Sequence, residues 1–323
     1  MALANTNTAW KQDLYPLVKK MFECEYANRL NKFFTIMSKE VIDSVDYRDS
    51  GSAGYGELPD YEGTLTSMNQ KRGFITVYTP AEKAGAVDIA FKYAKIDKSG
   101  EAKKAGKKLA NSANMTVYMA MLRLFGRAFD ANYPGGDGKP WAATDHPAAS
   151  KGDLNGVSIA DPDAGTYSNL ITKKLSVSAI TEAQTIANRY TTPDGLPLMC
   201  DFQDNGILLV SPELEAKAIE ICGKDNKMSP EKLPESAENG ANPVWGLKYM
   251  VIGGGADGFS ATQWAIADRA NLQESAKVVY ITEPTVMEND LDNPLIARFV
   301  PYTDFATGFS DPRAIIFSTG ATN

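Results

Sequence analysis

Residues 251–264 read VIGGGADGFSATQW, in which Gly253, Gly255 and Gly258 give the spacing GxGxxG directly after a short apolar run. In a dinucleotide-binding loop such glycines let the backbone close on a pyrophosphate, which the free amides and dipole at the start of the next helix then hold. Here the next residues are FSATQWAIAD, whose alternation and aromatic content read as a strand. No βαβ unit surrounds the motif, and no acidic residue ends a second parallel strand at the usual interval. The stretch therefore reads as a flexible glycine-rich turn between two antiparallel strands.

Three other groups carry polar chemistry. The carboxylates of EPTVMENDLDNP, Glu283, Glu288, Asp290 and Asp292, offer the oxygens that a hard divalent cation wants, but their spacing is not that of an EF-hand loop, and the segment reads as a solvated acidic turn. His146, the single histidine, sits in ATDHPAAS, where Asp145 or a serine could pair with it as in a general base. No GxSxG elbow or nucleophilic cysteine context accompanies it, so a hydrogen-bonded turn residue is the better reading. Cys24, Cys200 and Cys222 are scattered without a CxxC pair, which leaves no zinc set and suggests free, mostly buried thiols. These residues specify no catalytic group, cofactor or metal.

Composition narrows the classes. The 323 residues allow a large core in about two domain-sized units. The net charge of −7 argues against a surface built throughout to grip phosphates, although Lys103, Lys104, Lys107 and Lys108 form a local basic cluster, read as a solvated face. No stretch approaches the apolar length of a membrane span, and MALANTNTAWKQDLYPLVKK lacks the pattern of a secretory signal; a cytosolic site of synthesis is expected.

The elements that would position these residues read as follows. Leu14, Leu17, Val18, Met21, Phe22, Tyr26, Leu30 and Phe33 recur at helical spacing, broken early by Pro16, in an arm that docks on its own body or on a neighbour. Residues 50–95 pass through SGSAGYGELPDYEG into GFITVYT and AVDIAFKYAKI, read as a long two-stranded ribbon whose apolar face needs cover. One long helix is expected from about Ser99 to Phe129, with Ser99 as its N-cap. Beyond the turn-rich PGGDGKPW come a helix capped by Ser176 or Ser178, the strand DNGILLV, and a helix begun at Ser211 and Pro212 and ended by Gly223. The strands KYMVIGG, ATQWAIAD, KVVYIT, LIARFVPYTDFATGF and RAIIFSTG close the chain.

The run LFGRAFDANYPGGDGKPWAATDHP, then NLITKKLSVSAITEAQTIANRYTTPDGLPL with ILLVSPELEAKAIEI, and the end ARFVPYTDFATGFSDPRAIIFSTGA together resemble the major capsid proteins of tailed phages, especially the head subunit of Mu-like phages, from about Glu57 onward. The resemblance implies an α+β Hong Kong 97-type fold: an N-arm (1–40), an E-loop (50–92), a peripheral domain with a long spine helix (41–49, 93–130 and 275–323) and an axial domain (131–274), with the PEKLPESAENGANP loop near symmetry axes. It implies a structural protein, not an enzyme, that assembles with copies of itself as hexamers and pentamers into an icosahedral virion shell in the bacterial host cytoplasm. The implied partners are a portal protein, a separate scaffolding protein, cement proteins where used, and double-stranded DNA packaged without sequence specificity; no membrane is involved. The expected subunit contacts are Leu17, Met21, Phe22, Phe74, Tyr78, Val87, Ile89 and Phe91. The alternatives are an encapsulin-like compartment of the same fold that loads cargo protein and, more distantly, a nucleotide-dependent enzyme.

Overall fold

The computed structural model describes residues 9–28, 31–51, 57–61, 63, 65, 67–68, 73–92, 100–154, 157–192, 195–202, 204–223, 242–253, 255–289, 293 and 295–322. In chain order its elements are α1 (Ala9–Asn28), β1 (Ser38–Val41), β2 (Tyr47–Ser50), β3 (Ile75–Tyr78), β4 (Ala81–Ala84), β5 (Val87–Ala90) and the long α2 (Glu101–Gly126). Then come β6 (His146–Pro147), β7 (Ser150–Leu154), β8 (Val157–Ala160), β9 (Thr166–Tyr167), β10 (Leu170–Lys173), α3 (Val177–Ala187), β11 (Gly206–Val210) and α4 (Glu215–Cys222). The last part holds β12 (Lys248–Val251), β13 (Trp264–Asp268), α5 (Arg269–Ser275), β14 (Ala276–Asn289), β15 (Ile296–Phe309) and β16 (Ile315–Thr322).

Two sheets share α2. The first runs β1-β14-β15-β4, with β5 also on β15. The second runs β10-β16-β13-β11-β12. In the second, β11 and β13 are buried at every position, which explains their unbroken apolar runs. Leu208 and Val210 point into a core with Ile180 and Ala183 of α3 and Ala218 and Ile221 of α4. Ile207 and Leu209 point the other way, to Met121, Leu122 and Phe125 of α2. That α2-centred core continues into the first sheet through Val278, Tyr280, Phe305 and Phe309, with Trp141 stacked on Phe309 at 4.8 Å.

Several local expectations change. The arm helix runs through Pro16, which is exposed; α1 gives up one backbone bond, and the burial of Val18 and Phe22 against Leu109, Ala110 and Ala113 of α2 compensates. The crossing is close at Gly106, where a Cβ would stand 2.7 Å from the Val18 carbonyl oxygen. Gly100 stands before α2 without a side-chain cap, and Ser99 lies outside the described residues. Ser176 caps α3 by accepting from the Ala179 amide, and α4 ends at Gly223.

The ribbon is built from other strands than expected. GFITVYT pairs through β3 with β2, Tyr47 facing Tyr78 and Ser50 facing Ile75, so the ribbon is 47–51 against 73–78. AVDIAFKYAKI does not join it. Its strand β5 follows β4 along the same edge of β15, from Ala81 opposite Phe305 to Ala90 opposite Ile296 in one register. The two pieces separate opposite Pro301, which has no amide to donate, although Gly85 still donates to the Pro301 carbonyl oxygen at 3.2 Å.

Two more corrections concern the chain's end. EPTVMEN is not a turn but the outer half of β14, paired with β15 as far as Asn289 opposite Arg298. Nor does residue 275 divide the sheets. Strand β16 pairs in parallel with β10 and antiparallel with β13, so residues 315–322 complete the sheet of the expected axial part.

Candidate functional site

The glycine-rich loop and His146 are held in structural roles. The glycine-rich loop runs from β12 to β13, two strands that flank β11 and are not hydrogen-bonded to each other. It forms a 3-10 turn at Gly255–Asp257 and leads into a strand, with no helix N-terminus to receive a phosphate. The loop is fixed to α2: Arg123 Nε and Nη2 donate to the two Asp257 carboxylate oxygens at 3.1 and 3.4 Å. Gly255 has φ +60° and open space around it, so its glycine serves backbone conformation.

His146 is 0% exposed. Its Nδ1 lies 2.5 Å from Asp137 Oδ2 and its Nε2 lies 3.2 Å from Asn169 Oδ1. Asp145, the expected partner, instead accepts from Lys139. That ion pair holds the Asp145 carboxyl below its usual range. Asn169 ties the group together, donating to the carbonyls of Trp141 at 2.7 Å and Pro312 at 3.0 Å and accepting from the Ala143 amide at 2.9 Å. The cluster joins the turn after α2 to the segment before β16. A general base must reach substrate, and this ring has no open face.

The acidic group is divided. Glu283 pairs with Lys39 at 2.7 Å, Glu288 is exposed on β14, and Asp290 and Asp292 lie outside the described residues. Among the described residues no group of three or more His, Cys, Asp or Glu is placed to hold a metal ion. The cysteines are free, and burial pushes the Cys222 thiol up to about 12 and, with help from Asp268, the Cys200 thiol up to about 11, which leaves both unreactive at neutral pH. In the basic cluster Lys107 lies 3.9 Å from Glu25, and Lys104 and Lys108 are exposed.

The eight apolar residues expected at subunit contacts fall into two sets. Phe22 (1% exposed), Tyr78 and Ile89 are covered by their own chain. Phe22 packs among α1, α2 and β15; Tyr78 lies under Gly308, whose Cβ position is 2.7 Å from the ring, and burial pushes its phenol pKa up. Leu17, Met21, Phe74 and Phe91 are half-buried, Phe91 against Trp10 with ring centroids 5.2 Å apart. Val87 is 39% exposed.

Other apolar surface was less visible in the sequence. Beyond the paired part of the ribbon, Leu58, Tyr61 and Leu65 stand out, Leu65 at 93% exposed. In the hairpin of β7 and β8, Leu154 faces Val157 and Ile159 follows on the same side, all three exposed. Apolar residues set singly among glycines and acids carry no periodic signal, and only their isolation from a core marked them. The base of the ribbon is anchored by Lys277 and Asp49, both mostly buried and 2.7 Å apart.

No protein-family model matches the sequence, and no curated protein sequence matches it. Solved structures do. The procapsid of bacteriophage JBD30 aligns with a TM-score of 0.51 at 12% identity, over 97% of this chain and 75% of that one. The capsid of Ralstonia phage GP4 aligns with a TM-score of 0.51 at 13% identity, over 88% and 86%. At such identities the likeness is one of fold. The chain has the Hong Kong 97-type fold of phage major capsid proteins.

Proposed function

We propose that this chain is the major head subunit of a tailed bacteriophage, a structural protein that assembles with itself into an icosahedral shell around double-stranded DNA. The observation that carries the reading is the apolar ribbon tip on a body of this fold. Leu58, Tyr61 and Leu65 are exposed beyond a ribbon that is itself pinned at its base by Lys277 and Asp49. A large apolar side chain gains about 1.5–3 kcal/mol on full burial, so three of them on one segment favour contact with a neighbouring copy.

In this reading α1 is the N-arm, the 47–78 ribbon is the E-loop, and α2 is the spine of the peripheral domain together with the β14–β15 hairpin. The second sheet belongs to the axial domain, with β16 added to it. The PEKLPESAENGANP loop proposed near the symmetry axes lies outside the described residues. The contacts that remain for neighbours are Leu17, Met21, Phe74, Val87 and Phe91, together with the ribbon tip. A negative subunit suits a container for DNA, because a wall carrying −7 per subunit adds no strong salt-dependent grip on the packaged polymer. Hexamers, pentamers, a portal, a separate scaffolding protein and cement proteins complete the proposal, with assembly in the host cytoplasm.

Deleting residues 57–68 tests it. The body keeps its two sheets and its unfolding transition, while electron microscopy shows loss of shells. Normal shells from the deleted chain contradict the role given to the tip. Wild-type particles holding a cargo protein in place of DNA assign the fold to a compartment instead.

A further inference from the structure

Strands β4 and β15 set two carboxylates against each other. Asp304 is directly opposite Glu82 in the antiparallel register, so both side chains leave the same face of the sheet with Cβ atoms about 5 Å apart. Asp304 is 8% exposed, and its Oδ1 is buried without a hydrogen-bond partner. Leaving a carboxylate oxygen dry and unpaired is costly, and like charges directly opposite destabilise a strand pair. Among the described residues nothing bonded to Asp304 Oδ1 offsets either cost.

The cations of this sheet do not. Arg298 is held by Asp88 through two bonds of 2.7 and 2.8 Å, Lys277 by Asp49 and Lys39 by Glu283. Lys83, next to Glu82, leaves the opposite face and lines a small cavity of about 130 Å³ with Ser112 and Thr116 of α2. Among the described residues the donor at the pair is the Tyr302 hydroxyl, which gives its hydrogen bond to Glu82 Oε1 at 3.2 Å. We propose that Asp304 and Glu82 together bind a divalent cation of the calcium class, which takes oxygen ligands from both strands and completes its shell with water. The ion replaces repulsion between β4 and β15 with a bridge, and so fastens the strand that follows the ribbon to the long hairpin. The inference does not depend on the shell reading, because the site lies within one chain.

Terbium is the probe, because its emission is sensitised by a nearby tyrosine and Tyr302 touches one of the two ligands. Purified wild-type protein titrated with terbium shows saturable emission that calcium displaces. Asp304→Asn and Glu82→Gln each abolish the saturable signal while near-ultraviolet circular dichroism stays native. Tyr302→Phe dims the emission and leaves calcium binding by calorimetry in place. Saturable emission that survives both carboxylate changes overturns the proposal. So does the absence of a saturable signal in wild type, including the case where acid alone stabilises the protein and the pair holds a proton.

Discussion

Replacing Phe22 with alanine distinguishes an arm docked on its own body from one held by a neighbour. Phe22 is 1% exposed, packs with Val18, Leu109, Ala110, Ala113 and Phe299, and stacks on Tyr26 with ring centroids 6.0 Å apart. Truncating a buried phenylalanine costs about 3–5 kcal/mol, including the cavity it leaves. The low end applies here, because α1 lies on the outside of α2 and can settle into the space. About 3 kcal/mol corresponds to roughly a 150-fold change in an opening equilibrium. The arm can also open without the rest of the chain unfolding, so the loss is local. Hydrogen exchange on the unassembled subunit reads it: amides of α1 lose about two powers of ten in protection, while β11 and β13 keep theirs. Unchanged protection of α1 in Phe22→Ala refutes the intramolecular docking and returns Phe22 to a contact between subunits.

The remaining predictions concern other sites. Gly255→Ala places a Cβ at φ +60° and costs about 1–2 kcal/mol in thermal unfolding, and calorimetry with NAD or ATP shows no saturable binding to wild type; a nanomolar or micromolar site there contradicts the turn reading. Burial first, and Glu82 second, push the Asp304 carboxyl above its usual range. A raised folded-state value means the native state binds this proton more tightly than the unfolded chain, so in chelator the stability contributed by Asp304 grows as pH falls from neutrality through that raised value. Asp304→Asn removes that rise, and a variant that keeps it shows the wrong group has been named. Lys83 on β4 faces α2, and the Asn293 side-chain oxygen already accepts from the Leu295 amide at 2.9 Å. A Lys–Asn isopeptide bond needs an uncharged, desolvated amine, so particles boiled in detergent run as one band near 35 kDa, or lower if trimmed; a covalent ladder that survives reductant counters this.

Where one periodicity served one partner, the sequence was informative. The runs ILLV and WAIA have no polar face, and each strand is indeed packed on both sides, toward α2 and toward α3 and α4. Ser176 caps α3 through its side chain and Gly223 ends α4, local signals the sequence carries, whereas Ser211 leaves its cap role and donates to the Ala261 carbonyl, and Pro212 opens a 3-10 turn ahead of α4. Pairing partners were harder to read. Val87 and Ile89 alternate as a strand whichever neighbour they have, and only the register shows that they lie on β15. The true ribbon partner, YRDS, is short and polar and sends no strand signal. EPTVMEN reads as a turn because its charges are exposed, yet Glu283 and Glu288 share a strand with Val286, which is buried against α1 and α2. The partner of His146 is nine positions away across a glycine-rich turn, a contact that only the closed turn creates.

Cryo-electron microscopy of particles assembled from the purified chain tests the central claim most directly. The account predicts closed icosahedral shells in which residues 57–68 of each subunit are ordered against a neighbouring copy, with Leu58, Tyr61 and Leu65 buried in that contact. A chain that stays monomeric under assembly conditions, or shells in which those three side chains remain in solvent, would contradict it.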